Sequence, residues 1–112
     1  MKATPVKING EVYPVKYGFA ALRAFSDVTN TKLSEMDSLG SNMTFTQAIA
    51  LVWAGMKDGA RVSKEGFALD LDDVADLLDE DEKALERVLK VFSDNLSKNS
   101  EPANGQRATK KK

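Results

Sequence analysis

TPVKINGEVYPVKY, residues 4–17, carries the strongest local signal for the architecture of the chain. Asn9-Gly10 separates two β-prone runs, and this pair suits a type I′ turn, which needs positive φ at both central residues. The segment reads as a hairpin. A two-residue loop sets Ile8 opposite Glu11 and Val6 opposite Tyr13. That register gathers Val6, Ile8, Tyr13, Val15 and Tyr17 on one face and Pro5, Lys7, Pro14 and Lys16 on the other, with Val12 the single exception. Pro5 and Pro14 cannot donate to a ladder, so both strands have an edge-like character. A lone ribbon is barely stable in water, and its apolar face needs a cover.

From Gly18 the period turns helical. Phe19, Leu22, Phe25 and Val28 recur at three-residue steps among Ala20, Ala21 and Ala24, predicting a helix over 19–28 whose stripe is the natural cover for the hairpin. Residues 29–42 read as a connection with one turn around Leu33 and Met36. Thr44 and Gln47 have capping-box spacing and open a second helix, with Phe45, Ile49, Val52 and Met56 on one face and Ala48 and Trp53 flanking it. Asp58-Gly59 ends it near Lys57, and GARVSKEGFAL (residues 59–69) reads as a Gly-punctuated loop. Asp70 caps a short helix bearing Leu71, Val74, Leu77 and Leu78. Asp79 or Asp81 caps another bearing Leu85, Val88, Leu89, Phe92 and Leu96. The sum is an α+β domain, mainly α, with an N-terminal hairpin against a small bundle of about four helices over residues 1–97. Residues 98–112 lose apolar side chains and read as a disordered basic tail.

Composition narrows the chemistry. The 112-residue chain has room for one domain, and 42 % hydrophobic with 29 % charged residues is a globular balance. It contains no cysteine and no histidine, which removes disulfides, thiolate and imidazole metal sites, and Ser-His or Cys-His nucleophile pairs. No SxxK motif or Gly-rich phosphate cradle occurs. The expectation is no enzyme, no catalytic residue, no metal and no cofactor. No apolar run reaches membrane-spanning length, and the N-terminus is too polar for a secretory signal, so a cytosolic protein is expected. The net charge of −1 hides a split: residues 1–97 carry 11 basic and 16 acidic side chains, net −5, and residues 98–112 carry 5 basic and 1 acidic, net +4. An acidic body repels phosphate backbones, so nucleic acid binding would rest on the tail alone.

Four features stand out as candidate sites. Asp70 to Glu82 holds 8 carboxylates and no basic residue. A calcium loop fails there, because Val74, Ala75 and Asp81 stand where an oxygen ligand, Gly and Glu are needed. Acids at helix starts already satisfy free amides and complement the dipole. Trp53 with Met56 has two readings, a core pair or a partner anchor. Leu85, Leu89, Phe92 and Leu96 form a seam at i, i+4, i+7 and i+11 that packs inward or against another chain, self-association included. The partner-binding candidates are therefore Trp53, Met56, Leu85, Leu89, Phe92 and Leu96. The sequons at Asn42 and Asn95 lack a secretory context and read as chance.

KINGEVYPVKYGFAALRAF (residues 7–25), ALVWAGMKDGARV (residues 50–62) and LDLDDVADLLDED (residues 69–81) follow one another in order. In that succession of elements, over residues 6–96, the chain resembles the tail assembly chaperones of long-tailed phages with non-contractile tails. The resemblance implies a small non-enzymatic protein, encoded just before the tape measure protein, that coats this long helical partner in the host cytoplasm, assists tail tube assembly and is lost from the virion. The tail tube protein is a second candidate partner. Members are commonly made in two lengths by ribosomal slippage, which would make the adenine-rich codons of Lys110, Lys111 and Lys112 a message-level signal in the short form. A solubilising tail and a cloning remnant are the other two readings of those lysines. Two rival functions stand beside the chaperone: a small nucleic-acid-binding regulator, with the helix from Thr44 as part of a reader, and a structural tail or connector subunit.

Overall fold

The computed structural model describes residues 3–39 and 42–100. The elements run β1 (Thr4–Ile8), β2 (Glu11–Val15), α1 (Phe19–Thr29), a 3-10 helix (Leu33–Ser38), α2 (Phe45–Val62), α3 (Leu71–Glu80) and α4 (Ala84–Ser100). This is the α+β, mainly α architecture that the patterning predicts. Asn9 and Gly10 take φ of 50° and 84°, as a type I′ turn requires. The register pairs Val6 with Tyr13 and Ile8 with Glu11. Val6, Ile8, Val15 and Tyr17 are buried, and Val12, on the opposite face, is 65 % exposed. Tyr13 is half-buried and donates to Glu11 Oε1 at 3.1 Å. Burial first, and that carboxylate second, raise its pKa.

The cover of the hairpin differs from the sequence expectation. α2 lies along β2 and α4 along β1, while α1 packs on α2 instead of on the sheet. Phe19, the first residue of the stripe meant for the hairpin, is 86 % exposed, and Val28 at its far end is also exposed; Phe25 and Ala21 hold α1 to the core. Phe45 is likewise turned out, 90 % exposed in the first turn of α2 ahead of Ala48, the first buried residue of that helix. The helix caps follow the sequence. Thr44 and Gln47 exchange backbone-to-side-chain bonds of 2.9 and 3.1 Å, and Asp70 and Asp73 do the same at 3.0 and 2.8 Å.

α2 is the central element: it packs on α1, β2, α3 and α4 through buried residues from Ala48 to Ala60, while Lys57 and Arg61 on its remaining side stay exposed. It continues to Val62, past the expected end near Lys57. Gly55 and Gly59, four residues apart, present one bare strip of helix to the strand. The Lys16 amide donates to the Gly55 carbonyl at 3.0 Å. A β-carbon at Gly59 would lie 2.7 Å from the Val15 nitrogen and overlap the Pro14 carbonyl, and one at Gly55 would lie 2.5 Å from the Tyr17 hydroxyl oxygen. Gly59 is therefore a packing residue inside the helix, and its helix-breaking cost is offset by the contact it permits. Tyr17 completes the joint. Its buried hydroxyl donates to the Leu51 carbonyl at 2.7 Å, its amide donates to Asn95 Oδ1 at 3.0 Å, and its ring meets Phe92 edge-on with centroids 5.1 Å apart. Burial pushes the phenol pKa far above its ordinary value.

A second clasp ties the hairpin turn to the start of α4. Asp81 Oδ2 accepts from the Asn9 amide at 3.0 Å and from Arg87 Nη1 at 2.9 Å, and the same Arg87 nitrogen donates to the Lys7 carbonyl at 2.9 Å. The Asn9 amide, then Arg87, hold the Asp81 carboxyl below the usual carboxylate range. Of the two aspartates proposed as the α4 cap, Asp79 lies inside α3 and Asp81 is the C-cap of that helix, its carbonyl accepting from the Ala84 amide at 3.0 Å. The backbone of α4 is helical through Ser100. Of the tail read over residues 98–112, residues 98–100 belong to α4 and the lysine-rich residues 101–112 lie outside the described residues.

Two outcomes follow from these joints. Gly59→Ala should destabilise the fold by about 3 kcal/mol in urea titration, although alanine is the better helix former, because the strand backbone cannot yield as a side chain would. Gly66→Ala, with nothing within 4 Å of its added β-carbon, serves as the neutral control. For Asp81, whose folded-state pKa is lowered, the stabilisation is complete above the ordinary carboxylate range and is lost as pH falls through the folded-state value. The urea midpoints of wild type and Asp81→Asn should differ at neutral pH and converge as pH falls through the lowered folded-state value.

Candidate functional site

α1 and α2 run antiparallel. A β-carbon built on Gly18 lies 3.7 Å from the Asp58 carboxylate at one end of the pair, and Gln47 Nε2 donates to Thr31 Oγ1 at 3.4 Å at the other. Between them lies an open groove of about 620 Å³. Ala20, Ala24 and Val28 line its α1 side; Trp53 and Ala54 line its α2 side; Phe67 adds an aromatic from the connection into α3. The helical repeat explains this lining: Ala20 and Ala24 stand four residues apart, and so do Trp53, Lys57 and Arg61. Small residues on facing ridges leave the volume that larger ones would fill.

Trp53 is half-buried. Its indole Nε1 donates to the Leu69 carbonyl at 3.1 Å, which fixes the ring, and the Lys57 ammonium lies 4.9 Å from the ring centroid as a cation–π pair. Lys57 is exposed and forms no ion pair among the described residues. Asp58, in contrast, is only 3 % exposed. Its Oδ1 accepts from Arg61 Nε at 2.9 Å and Nη2 at 2.7 Å, and its Oδ2 lies 3.6 Å from Lys16 Nζ without a hydrogen bond. Two cations thus surround one buried carboxylate and compensate its charge. Arg23 and Asp27, both well exposed, pair at 4.0 Å on the opposite side.

The electrostatic balance of the groove is unlike that of the body. Arg23, Lys57 and Arg61 face Asp27, Asp58 and Glu65 in the lining, and Lys16 behind Asp58 adds one further cation. The surrounding chain over residues 1–97 has a net charge of −5. The lining is thus balanced, three cations against three acids of which Asp58 is buried, and it crosses an acidic molecule.

The six residues singled out as partner contacts do not form one surface. Met56 is 1 % exposed and Phe92 is packed against Tyr17, so both are buried in the core. Helix geometry separates Met56 from Trp53: they lie on neighbouring ridges of α2, Met56 turned into the core and Trp53 toward the groove. Trp53 lines the groove. Leu85, Leu89 and Leu96 lie half-buried along α4 against the core and outside the groove lining. Arg23, Lys57, Arg61 and Phe67 are the groove residues that patterning missed. Ending α2 at Lys57 hides the i, i+4, i+8 row from Trp53 to Arg61, and Phe67 lies in a segment without periodicity. Asn95, dismissed as a chance sequon, holds the Tyr17 amide.

Among the described residues, no three acidic, histidine or cysteine side chains converge as metal ligands, and no helix is long and apolar enough to cross a membrane. The carboxylates of α3 are spread along a helix that begins with the Asp70 cap. Comparison with protein-family models, with curated proteins and with solved structures finds no match to this chain.

Trp53→Ala should cost about 2 kcal/mol of stability, short of the roughly 3 to 5 kcal/mol of a fully enclosed tryptophan, because one part of the ring faces the groove. Urea denaturation followed by far-ultraviolet circular dichroism measures it.

Proposed function

We propose that this chain is a tail assembly chaperone of a long, non-contractile-tailed bacteriophage, a non-enzymatic protein that binds and solubilises the tape measure protein in the host cytoplasm. It assists tail tube assembly, with the tube protein as a second partner, and is absent from the mature virion. The observation that carries the reading is the open groove between α1 and α2, about 620 Å³ in volume and lined by Trp53, Phe67, Val28 and three alanines. An apolar trough between two helices is the receptor geometry for an amphipathic helix. The succession of motifs over residues 6–96 supports the same reading.

The physical task is modest. A tape measure protein exposes long apolar helical stripes that aggregate, and a partner that binds this form stabilises it by about 2.7 kcal/mol at a hundred times its dissociation constant. Weak reversible binding suffices, and release during tube polymerisation requires it. The net charge of −5 over residues 1–97 keeps coated assemblies apart by like-charge repulsion. The same charge disfavours the nucleic-acid regulator.

Co-expression with the protein encoded immediately downstream tests the proposal. That protein should become soluble and co-purify with this chain, and neither should retard duplex DNA at physiological salt. Unchanged aggregation of the downstream protein, or this chain's presence in purified virions, would overturn it.

A further inference from the structure

We infer that the groove selects amphipathic helices whose apolar stripe is flanked by acidic side chains; the inference rests on the chaperone reading and specifies the partner's chemistry. Three observations carry it. The lining is helical on both sides and interrupted by the small side chains of Ala20, Ala24 and Ala54, so a third helix can approach closely enough to insert its apolar residues between Trp53 and Val28. Trp53 is held in place by its bond to the Leu69 carbonyl, and the trough therefore has one rigid aromatic side before any ligand arrives. The third observation is charge. Lys57 lies over the indole with no acid within ion-pairing distance among the described residues.

The remaining charges divide by accessibility. Asp58 is sealed between Lys16 and Arg61, so it cannot meet a ligand cation, whereas the Arg61 side chain remains 60 % exposed at the groove. Arg23 stands across from it on α1, 85 % exposed and only loosely paired with Asp27. Asp27 and Glu65 are the acids a ligand can reach, against Arg23, Lys57 and Arg61. A helix with glutamates or aspartates beside its apolar stripe thus finds cations on both sides of the trough. A lysine-flanked helix meets like charge at Arg23, Lys57 and Arg61 and reaches only Asp27 and Glu65, because Asp58 is buried. Outside the groove the acidic body attracts lysine-flanked helices without orienting them, so the groove and the body prefer opposite ligands. Selection of the acidic helix therefore reports the groove specifically.

The test uses two 20-residue helical peptides without tryptophan, with leucines at i, i+3, i+4 and i+7 and either glutamates or lysines on both flanks. Affinity is read by anisotropy of a peptide label, and location by the emission of Trp53, the single tryptophan of the chain. The glutamate peptide should bind about tenfold more tightly at low salt and shift the Trp53 emission, and the preference should shrink as salt rises. Arg23→Glu with Lys57→Glu, both at exposed positions, should invert the order, and Arg23→Gln with Lys57→Gln should abolish it; circular dichroism verifies that each variant is folded.

Equal affinities, an emission that ignores the bound peptide, an order unchanged in the charge-reversed variant, or no binding of either peptide would each overturn the assignment. Co-purification of the downstream-encoded protein with the charge-reversed variant separates the two ideas. Undiminished capture there overturns the groove assignment and leaves the chaperone standing, whereas no capture by wild type removes the chaperone itself.

Discussion

Backbone-to-backbone contact between β2 and α2 is the constraint on which the rest of the molecule depends. Gly55 and Gly59 remove two β-carbons from one strip of α2, and the residues from Pro14 to Tyr17 settle into the space. The amide of Lys16 then reaches the Gly55 carbonyl, and the phenol of Tyr17 reaches the Leu51 carbonyl. Each contact needs the other. A buried tyrosine hydroxyl without a partner costs roughly 1 to 3 kcal/mol, and a helix carbonyl can serve it only at the distance that the glycines allow.

Once β2 occupies that side of α2, the positions of the other elements follow by exclusion. α4 takes the open side of the hairpin, next to β1, where Asp81 and Arg87 clasp the turn and Phe92 meets Tyr17. α1 has no hairpin face left to cover and lies along α2 instead. Its own small residues, Ala20 and Ala24, then oppose Trp53 and Ala54 across a space that no other element fills. The groove is thus a consequence of the glycine joint: had α1 covered the sheet, this pair of helices would have had no open trough between them.

The charges sort by the same geometry. Asp58 is one residue from Gly59 and is drawn down with the helix into the joint, where Lys16 from the strand side and Arg61 from the next turn compensate it. Its burial leaves the groove with three exposed cations against two reachable acids, Asp27 and Glu65. The α3 carboxylates have a different cause, namely the demand of a helix start for acceptors, and they leave the rest of the body acidic. Two unrelated local requirements therefore yield a charge contrast between one trough and the surface around it.

Local rules were legible in the sequence wherever the determining contact lies within a few residues. Asn9-Gly10 specified the turn and hence the register; Thr44 with Gln47, and Asp70 with Asp73, specified helix starts; alternation told Val12 from its neighbours. Where a residue's role depends on a distant partner, the same rules pointed the wrong way. Gly59 reads as a terminator because its cost is local, while the benefit comes from Pro14, 45 residues earlier in the chain. Phe19 reads as core because it shares a stripe with Phe25, yet the surface it was to cover belongs to α2 and α4. The sequence by itself determined the elements, their caps and the hairpin's two faces, since hydrogen bonding and side-chain period act over neighbouring positions. Only the tertiary structure decided which helix covers the sheet, which apolar residues remain at a surface and where the groove lies, because close packing is a competition among all elements for the same contact area.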